Sequence, residues 1–271
     1  MHKKNYLATY AKSFNWAGFF LPREVYQKCS ALYSFCRILD NIADDENKID
    51  LKQKEFLKNK ENFKKKNLDI PVIKDMWKLI SEYNISVKIV DDLFEGIKSD
   101  IKNHVKLNSK KDLLIYSYQV AGTVGLMMAK ILKVNDKDSL KSAINLGIAM
   151  QLTNISRDVI EDSKINRFYI NKNFEDIKST IALADIFYDK SFYSIKNIPL
   201  NLRFSILVAR RIYRKIGYKI LKKQNYENYE NSGKIYVNKF EKILETFLSI
   251  FDLFFLNFLR NKKNKIMVSS H

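Results

Sequence analysis

Apolar residues recur along the chain at the three-to-four-residue spacing of amphipathic helices, with few interruptions. Pro22, Pro71 and Ser86 each stand where a helix can begin, and Ser109 with Asp112 resembles a capping box ahead of an apolar stretch. A polar stretch at 46–69 breaks the pattern. The spacing predicts helices over about 23–45, 71–83, 86–103, 113–132, 136 or 139 to 164, 180–195, 200–223 and 234–260.

Composition narrows the fold class. The 271 residues include only 7 glycines and 3 prolines, whereas sheet-rich folds need many tight turns that these residues supply. Hydrophobic residues make up 46% of the chain, enough to form a buried core. No linker rich in Pro, Gly or Ser divides the sequence, and no internal repeat is visible. We therefore predict one all-α domain over residues 1–271.

The chain is strongly basic, with 48 Lys and Arg against 30 Asp and Glu, a net charge of +18. Three interpretations compete: a lysine-rich solvated surface, attraction to anionic membrane, and nucleic-acid binding. No known nucleic-acid-binding motif accompanies the charge, so we expect no nucleic acid partner. The lysines concentrate at 48–66 and 260–265. We expect peripheral, salt-sensitive contact with anionic membrane, and no obligate protein partner is evident.

Cysteine and targeting signals favour a reducing, cytoplasmic location, at most peripheral to the inner face of the membrane. Cys29 and Cys36 lie seven residues apart in a helical stretch, roughly 10 Å, which is too far for a disulfide. The three histidines are scattered and give no zinc spacing. No signal peptide follows Lys3 and Lys4. The longest uncharged run, 113–129, falls just short of a membrane span.

Two lines of acidic residues carry the candidate chemistry. In the first, Tyr33, Arg37, Asp40 and Asp44 share one helix face. Two carboxylates four residues apart destabilise an isolated helix, and a divalent cation would compensate. An ordinary solvated face is the alternative.

The second line is Gln151, Asn154, Asp158 and Asp162, at spacings of three, four and four. Apolar residues cover the rest of that helix, and buried charge is costly unless paired or metal-bound. Oxygen ligands without histidine or cysteine suit Mg²⁺. A solvated face is again the alternative, but two such lines facing each other would hold Mg²⁺ for a diphosphate.

Longer motifs give a specific resemblance. The chain resembles the squalene/phytoene synthase family, the head-to-head isoprenoid synthases, over nearly its whole length. The matching segments are Lys12-Ser13-Phe14 with Leu21-Pro22, the run from Leu32 to Arg37 leading into Asp40, Asp44 and Asp45, the run from Val120 to Met128, and the run from Gln151 to Asp162 ending in Arg167-Phe168-Tyr169.

The resemblance implies an isoprenoid synthase fold, with helices around a central cavity and the two acidic motifs facing each other across its mouth. It implies two or three Mg²⁺ ions bound with the substrate diphosphate. By matching positions, the metal ligands would be Asp40, Asp44, Asn154, Asp158 and Asp162. Cationic contacts to phosphate oxygens would come from Lys12, Arg37, Arg157 and Arg167. For Arg37, a plain salt bridge to Asp40 or Asp44 is the alternative.

Further matching positions would contact the prenyl chains. Tyr33, Tyr116 and Tyr213 would lie near the reacting carbons and stabilise a carbocation or handle a proton; ordinary core aromatics are the alternative. The remaining substrate-binding residues implied by the resemblance are Ser13, Phe14, Val120, Ala121, Gly125, Gln151 and Tyr169. For the helix containing Gly125, the alternative is that its glycines only permit close helix packing.

Some positions depart from the family pattern. Ala11 stands where many members have serine. Asn166 stands where glycine usually precedes the arginine, and Leu-Pro does not follow Tyr169. We therefore expect the segment after the second motif to differ from that of the family.

The implied reaction joins two allylic diphosphates through a cyclopropyl diphosphate. The run from Ala121 to Met128 looks most like bacterial phytoene synthases, which use geranylgeranyl diphosphate and no NADPH. Condensation of two farnesyl diphosphates to squalene, dehydrosqualene or hydroxysqualene is the first alternative. Some proteins of this fold are non-catalytic assembly factors for respiratory complexes, but they tend to lose acidic-motif residues that are all present here. A basic helical protein that binds nucleic acid or membrane is the last alternative.

Overall fold

The computed structural model describes residues 12–45 and 47–268, with the side chains of 13–45 and 47–258. This part of the chain is almost entirely helical, as predicted. The α helices are α1 (Lys12–Gly18), α2 (Arg23–Asp44), α3 (Ile49–Lys64), α4 (Pro71–Tyr83), α5 (Val87–Asp100), α6 (Lys110–Ser117), α7 (Thr123–Ile131), α8 (Lys137–Arg157), α9 (Val159–Lys164), α10 (Phe174–Phe192), α11 (Leu200–Leu221), α12 (Tyr226–Asn231) and α13 (Lys239–Val268).

Three irregular elements complete the fold. A π-helical turn, Tyr118–Gly122, joins α6 to α7, and a 3-10 helix, Tyr193–Asn197, follows α10. Two short strands, β1 (Val105–Lys106) and β2 (Arg167–Phe168), pair in parallel. Side-chain caps fix several helix starts: Ser109 accepts a hydrogen bond from the Asp112 backbone N–H at 3.1 Å, which confirms the N-cap half of the predicted capping box.

The polar stretch at 46–69 is mostly helix α3, and our expectation of an interruption there was wrong. Phe56 and Phe63 lie seven residues apart on one face of α3, and both are buried. Their rings pack against Phe94 at 5.8 and 5.5 Å, and Phe63 also stacks on Trp77 at 5.1 Å. These two aromatic residues anchor the helix to α4 and α5, because each buried ring contributes a large apolar area.

Two hydrophobic cores lie on either side of the central helix region. The N-terminal core draws on α2, α3, α4, α5 and α7, and the C-terminal core on α6, α8, α10 and α11. Helix α8 packs against α7, α10 and α11 and so runs between them. Cys29 and Cys36 are buried and unbridged, as predicted from their spacing. The space between the cores is where the candidate site lies.

Candidate active site

An apolar cavity of about 260 Å³ lies between the two cores. One wall is α8, whose cavity-facing residues run from Asn154 to Ser139, a distance of about 22 Å at 1.5 Å per residue. The opposite walls come from α2, the π-helical turn and α7. We call one part of the wall the polar end; it is lined by Tyr33 and Asp40 of α2 and by Gln151 and Asn154 of α8.

Arg167 links the two acidic motifs. Its Nη1 donates to Asp44 Oδ1 at 2.8 Å, and its Nη2 donates to the Ala43 carbonyl at 2.8 Å. On the other motif, burial and then the nearby Asp158 carboxylate raise the pKa of Asp162 to about 7, while Arg167 acts in the opposite direction. Asp44 also raises that pKa. Arg167 therefore pairs directly with the first motif and acts electrostatically on Asp162 of the second.

The second motif does not lie on one continuous helix. Helix α8 ends at Arg157, and Asp158 takes a non-helical backbone conformation before α9 begins. The Asp162 N–H still donates to the Asp158 carbonyl at 2.8 Å, so the spacing of four residues is kept. Arg157 Nε and Lys234 Nζ contact Asp158 Oδ1 at 2.8 and 3.1 Å. Burial tends to raise the pKa of Asp158, but these two cations outweigh it and the pKa is lowered.

The donor set suits a cation that arrives with a phosphate. Within the described residues, no three His, Cys, Asp or Glu side chains form a ready-made metal cluster. Asn154 Oδ1 is buried and has no hydrogen-bond partner in this part of the chain. Burial, followed by the Asp44 charge, raises the pKa of Asp40 to about 7, and a cation would favour its ionised form. Mg²⁺ commonly binds through one or two carboxylates plus substrate phosphates, which these residues fit.

The tyrosines implied as catalytic divide into two groups. Tyr33 lines the cavity at its polar end. Tyr213 is buried beside it, with its ring 4.9 Å from Phe14, and its pKa is raised by burial while Arg157 acts against the rise. Tyr116 lies elsewhere: its hydroxyl donates to Asp100 Oδ2 at 2.8 Å. Tyr116 therefore supports the site from behind in this structure.

Asp100 is a site residue that the sequence analysis missed. Tyr116 and Tyr169 both donate to its carboxylate at 2.8 Å, and their rings stack at 4.7 Å. Burial raises the pKa of Asp100, and Arg167 opposes the rise. The sequence does contain a signal for it, because an acidic residue stands three positions after Ile97, on the buried face of α5. This buried network holds Arg167 next to Asp44.

The structure brings eight of the eighteen described candidate site residues to the cavity wall. Those that line it are Phe14, Tyr33, Asp40, Val120, Ala121, Gly125, Gln151 and Asn154. The other described candidates lie behind the wall or beside the polar end: Ser13, Arg37, Asp44, Tyr116, Arg157, Asp158, Asp162, Arg167, Tyr169 and Tyr213. The side chain of Lys12 and all of Ala11 lie outside the described residues. Arg37 Nη2 is 3.9 Å from Asp44 Oδ2.

Comparisons with known proteins agree with this architecture. A family model described as squalene/phytoene synthase matches residues 7–174. The chain is 27% identical to a 15-cis-phytoene synthase of Pantoea ananas over 253 residues, covering 81% of each chain.

Two solved structures have a similar fold. A dehydrosqualene synthase in complex with ligand aligns with a TM-score of 0.78 at 27% identity, covering 90% of this chain and 92% of that one. A squalene synthase from Alicyclobacillus acidocaldarius aligns with a TM-score of 0.69 at 20% identity, covering 82% and 90%.

Proposed function

The chain belongs to the squalene/phytoene synthase family, whose members are prenyltransferases, and from this we propose that it condenses two geranylgeranyl diphosphates to phytoene. The observation that carries the choice of substrate is the length of the apolar cavity below the polar end. The likeness to the phytoene synthase of Pantoea ananas supports the same choice.

The cavity length can be compared with the two candidate chains. Each isoprene unit adds four chain carbons, about 5 Å when extended, from carbon–carbon bonds near 1.5 Å. A geranylgeranyl chain of four units is then about 20 Å long, and a farnesyl chain of three units about 15 Å. The α8 wall from Asn154 to Ser139 extends about 22 Å. A chain of four units fills this length, whereas one of three units leaves its far end empty.

The residues at the polar end would act on the diphosphate. Asp40, Asp44, Asn154, Asp158 and Asp162 would hold Mg²⁺, which supplies Lewis-acid stabilisation of the charge on the leaving diphosphate.

Arg37, Arg157 and Arg167 lie beside these carboxylates and would donate to phosphate oxygens. Arg157 and Arg167 now pair with Asp158 and Asp44, so bound diphosphate would share them. Positive charge beside the polar end would therefore stabilise the diphosphate as it leaves.

The reaction proceeds in two ionisations. The C–O bond of the first substrate breaks with loss of diphosphate, and the double bond of the second substrate attacks the allylic cation. Loss of a proton closes the cyclopropane and leaves one diphosphate on the intermediate. The second C–O bond then breaks, the cation rearranges, and loss of a proton gives phytoene without a reductant. Tyr33 lines the cavity, as Asp40 does, and its ring would stabilise the cations.

A farnesyl substrate is the second candidate, and the likeness to a dehydrosqualene synthase structure at 27% identity supports it. The same polar end would serve that reaction. Only the occupied length of the cavity would differ.

The test is a product assay. We expect purified protein with Mg²⁺ and geranylgeranyl diphosphate, without NADPH, to yield a C40 hydrocarbon by mass analysis, and EDTA to abolish it. A C30 product from farnesyl diphosphate alone would reassign the substrate. No product from either diphosphate would favour a non-catalytic role for this fold.

A further inference from the structure

Helix α13 turns its apolar side outward. Between residues 243 and 258, every exposed side chain on α13 is apolar. Four phenylalanines are the most exposed of them: Phe254 and Phe258 expose 67% of their surface, Phe251 59% and Phe247 58%. We call this the aromatic face; its residues are Ile243, Leu244, Phe247, Ile250, Phe251, Phe254, Phe255 and Phe258.

Between residues 243 and 258, the polar residues of α13 are buried or half-buried instead. Glu245 is buried and contacts Lys215 Nζ at 3.2 Å. Asp252 accepts from Arg211 Nε at 2.6 Å, and Asn257 accepts from the fully buried Arg203. These contacts fix the rotation of the helix. The aromatic face is therefore held outward by ion pairs and hydrogen bonds, opposite to the usual arrangement of a surface helix.

We propose that the aromatic face of α13 docks on an anionic lipid surface. An interfacial helix places its apolar side among the acyl chains and is held by cations that bind anionic headgroups. In the sequence, Asp252 is the last acidic residue, and four cations follow it: Arg260, Lys262, Lys263 and Lys265. The net charge of +18 attracts the whole chain to the same surface. No helix within the described residues is long and apolar enough to cross a membrane, so α13 would lie in the interface.

Charge favours lipid over a second copy of the chain. A two-fold dimer through α13 would bring two proteins of charge +18 together, and like charges oppose that contact. An anionic membrane reverses the sign of this interaction. The aromatic face would also bury more completely in acyl chains than against a single helix.

The cavity and α13 share a wall. Ile195, Ile198 and Ile206 line the cavity, and they pack in one small cluster with Leu253 and Leu256 of α13. Only one layer of apolar side chains therefore separates the cavity from the docking helix. Under the proposed function, this would place the hydrocarbon product next to lipid; the docking surface itself does not depend on that function.

The test is vesicle co-sedimentation of the full chain carrying Phe247→Gln, Phe251→Gln and Phe254→Gln together. We expect wild type to bind vesicles of phosphatidylglycerol and phosphatidylcholine and to bind phosphatidylcholine alone more weakly. Salt at about 0.5 M should weaken the binding to anionic vesicles. The triple variant should lose about tenfold or more of its vesicle partitioning, because three large apolar side chains no longer enter the lipid.

The matched control is Leu51→Gln with Leu57→Gln, which removes side chains that expose 54% and 58% of their surface on α3. Its binding should equal that of wild type. The triple variant should keep wild-type circular dichroism and its turnover of detergent-dispersed substrate, which separates this proposal from the proposed function. Unchanged vesicle binding by the triple variant would overturn the proposal. So would a wild-type dimer that the triple variant dissociates while neither binds vesicles.

Discussion

Asn166 shows how a single backbone conformation explains a departure from the family pattern. Its φ is 58°, in the left-handed region that glycine adopts freely and asparagine tolerates. Its carbonyl accepts a hydrogen bond from the Val105 N–H at 2.9 Å, which holds β1 against β2. Asparagine here can therefore replace the glycine that usually precedes the arginine, and Arg167 still reaches Asp44.

Substitution at Asn166 tests this explanation. Asn166→Gly should change the free energy of unfolding by less than about 1 kcal/mol, because glycine accepts the same backbone. Asn166→Val should destabilise the fold by about 1–2 kcal/mol, because a β-branched side chain is strained at positive φ. Urea unfolding of both variants gives the comparison. Equal stabilities for the glycine and valine variants would contradict a left-handed Asn166.

At the scale of helices, the contact between α8 and the π-helical turn with α7 depends on glycine. A Cβ added at Gly125 would lie 2.4 Å from the Ala143 carbonyl oxygen, and one at Gly147 would lie 2.3 Å from that of Ala121. Gly125 also lines the cavity. The two roles considered for this helix, close packing and cavity lining, are therefore held by the same residue.

The helix contact can be tested by adding one methyl group. Gly125→Ala should destabilise the protein by about 1–3 kcal/mol, because the clash is with backbone that must shift. The control is Gly217→Ala in α11, where the added Cβ meets only the Ile181 side chain at 3.2 Å. Its effect should stay within about 1 kcal/mol, since alanine also favours the helix. Thermal unfolding would measure both; a tolerated Gly125→Ala would disprove the close contact.

At the scale of the whole molecule, the cavity exists because the two hydrophobic cores leave space between them. Its wall combines Cys29 and Cys36 from the N-terminal core with Met150 and Ala209 from the C-terminal core. Small side chains at the far end, among them Ser139, Ser142 and Ser194, keep that end open. Under the proposed function, the packing of the whole domain would thus set the chain length that the cavity accepts.

Ser142 lies 12 residues before Asn154 on α8, about 18 Å along the helix. A chain of four isoprene units would reach it, and one of three would not. Ser142→Phe should therefore reduce turnover of geranylgeranyl diphosphate by about tenfold or more and leave farnesyl diphosphate usable. Ser142→Ala is the control and should keep the wild-type preference. Product assays with each substrate would measure the preference. Equal losses with both substrates would contradict the prediction that the prenyl chain extends from Asn154 towards Ser142.

The sequence determined the helical class, the main helix positions and the two acidic motifs, because each depends on local spacing. Periodicity and caps act within a few residues, so Ser109 and Asp112 could be interpreted from the sequence. The helix α3 was missed because its stability comes from Phe56 and Phe63 meeting Phe94, a contact that its own periodicity does not reveal.

Only the tertiary structure decided how the motifs work together. Asp100 joins Tyr116 and Tyr169 from segments far apart in the chain, and Arg167 crosses to Asp44 over 123 positions. The outward direction of α13 likewise depends on Arg211 and Lys215 of α11 holding its acidic residues. Ion pairs and buried hydrogen bonds form between elements, so their partners are fixed by packing rather than by spacing along the chain.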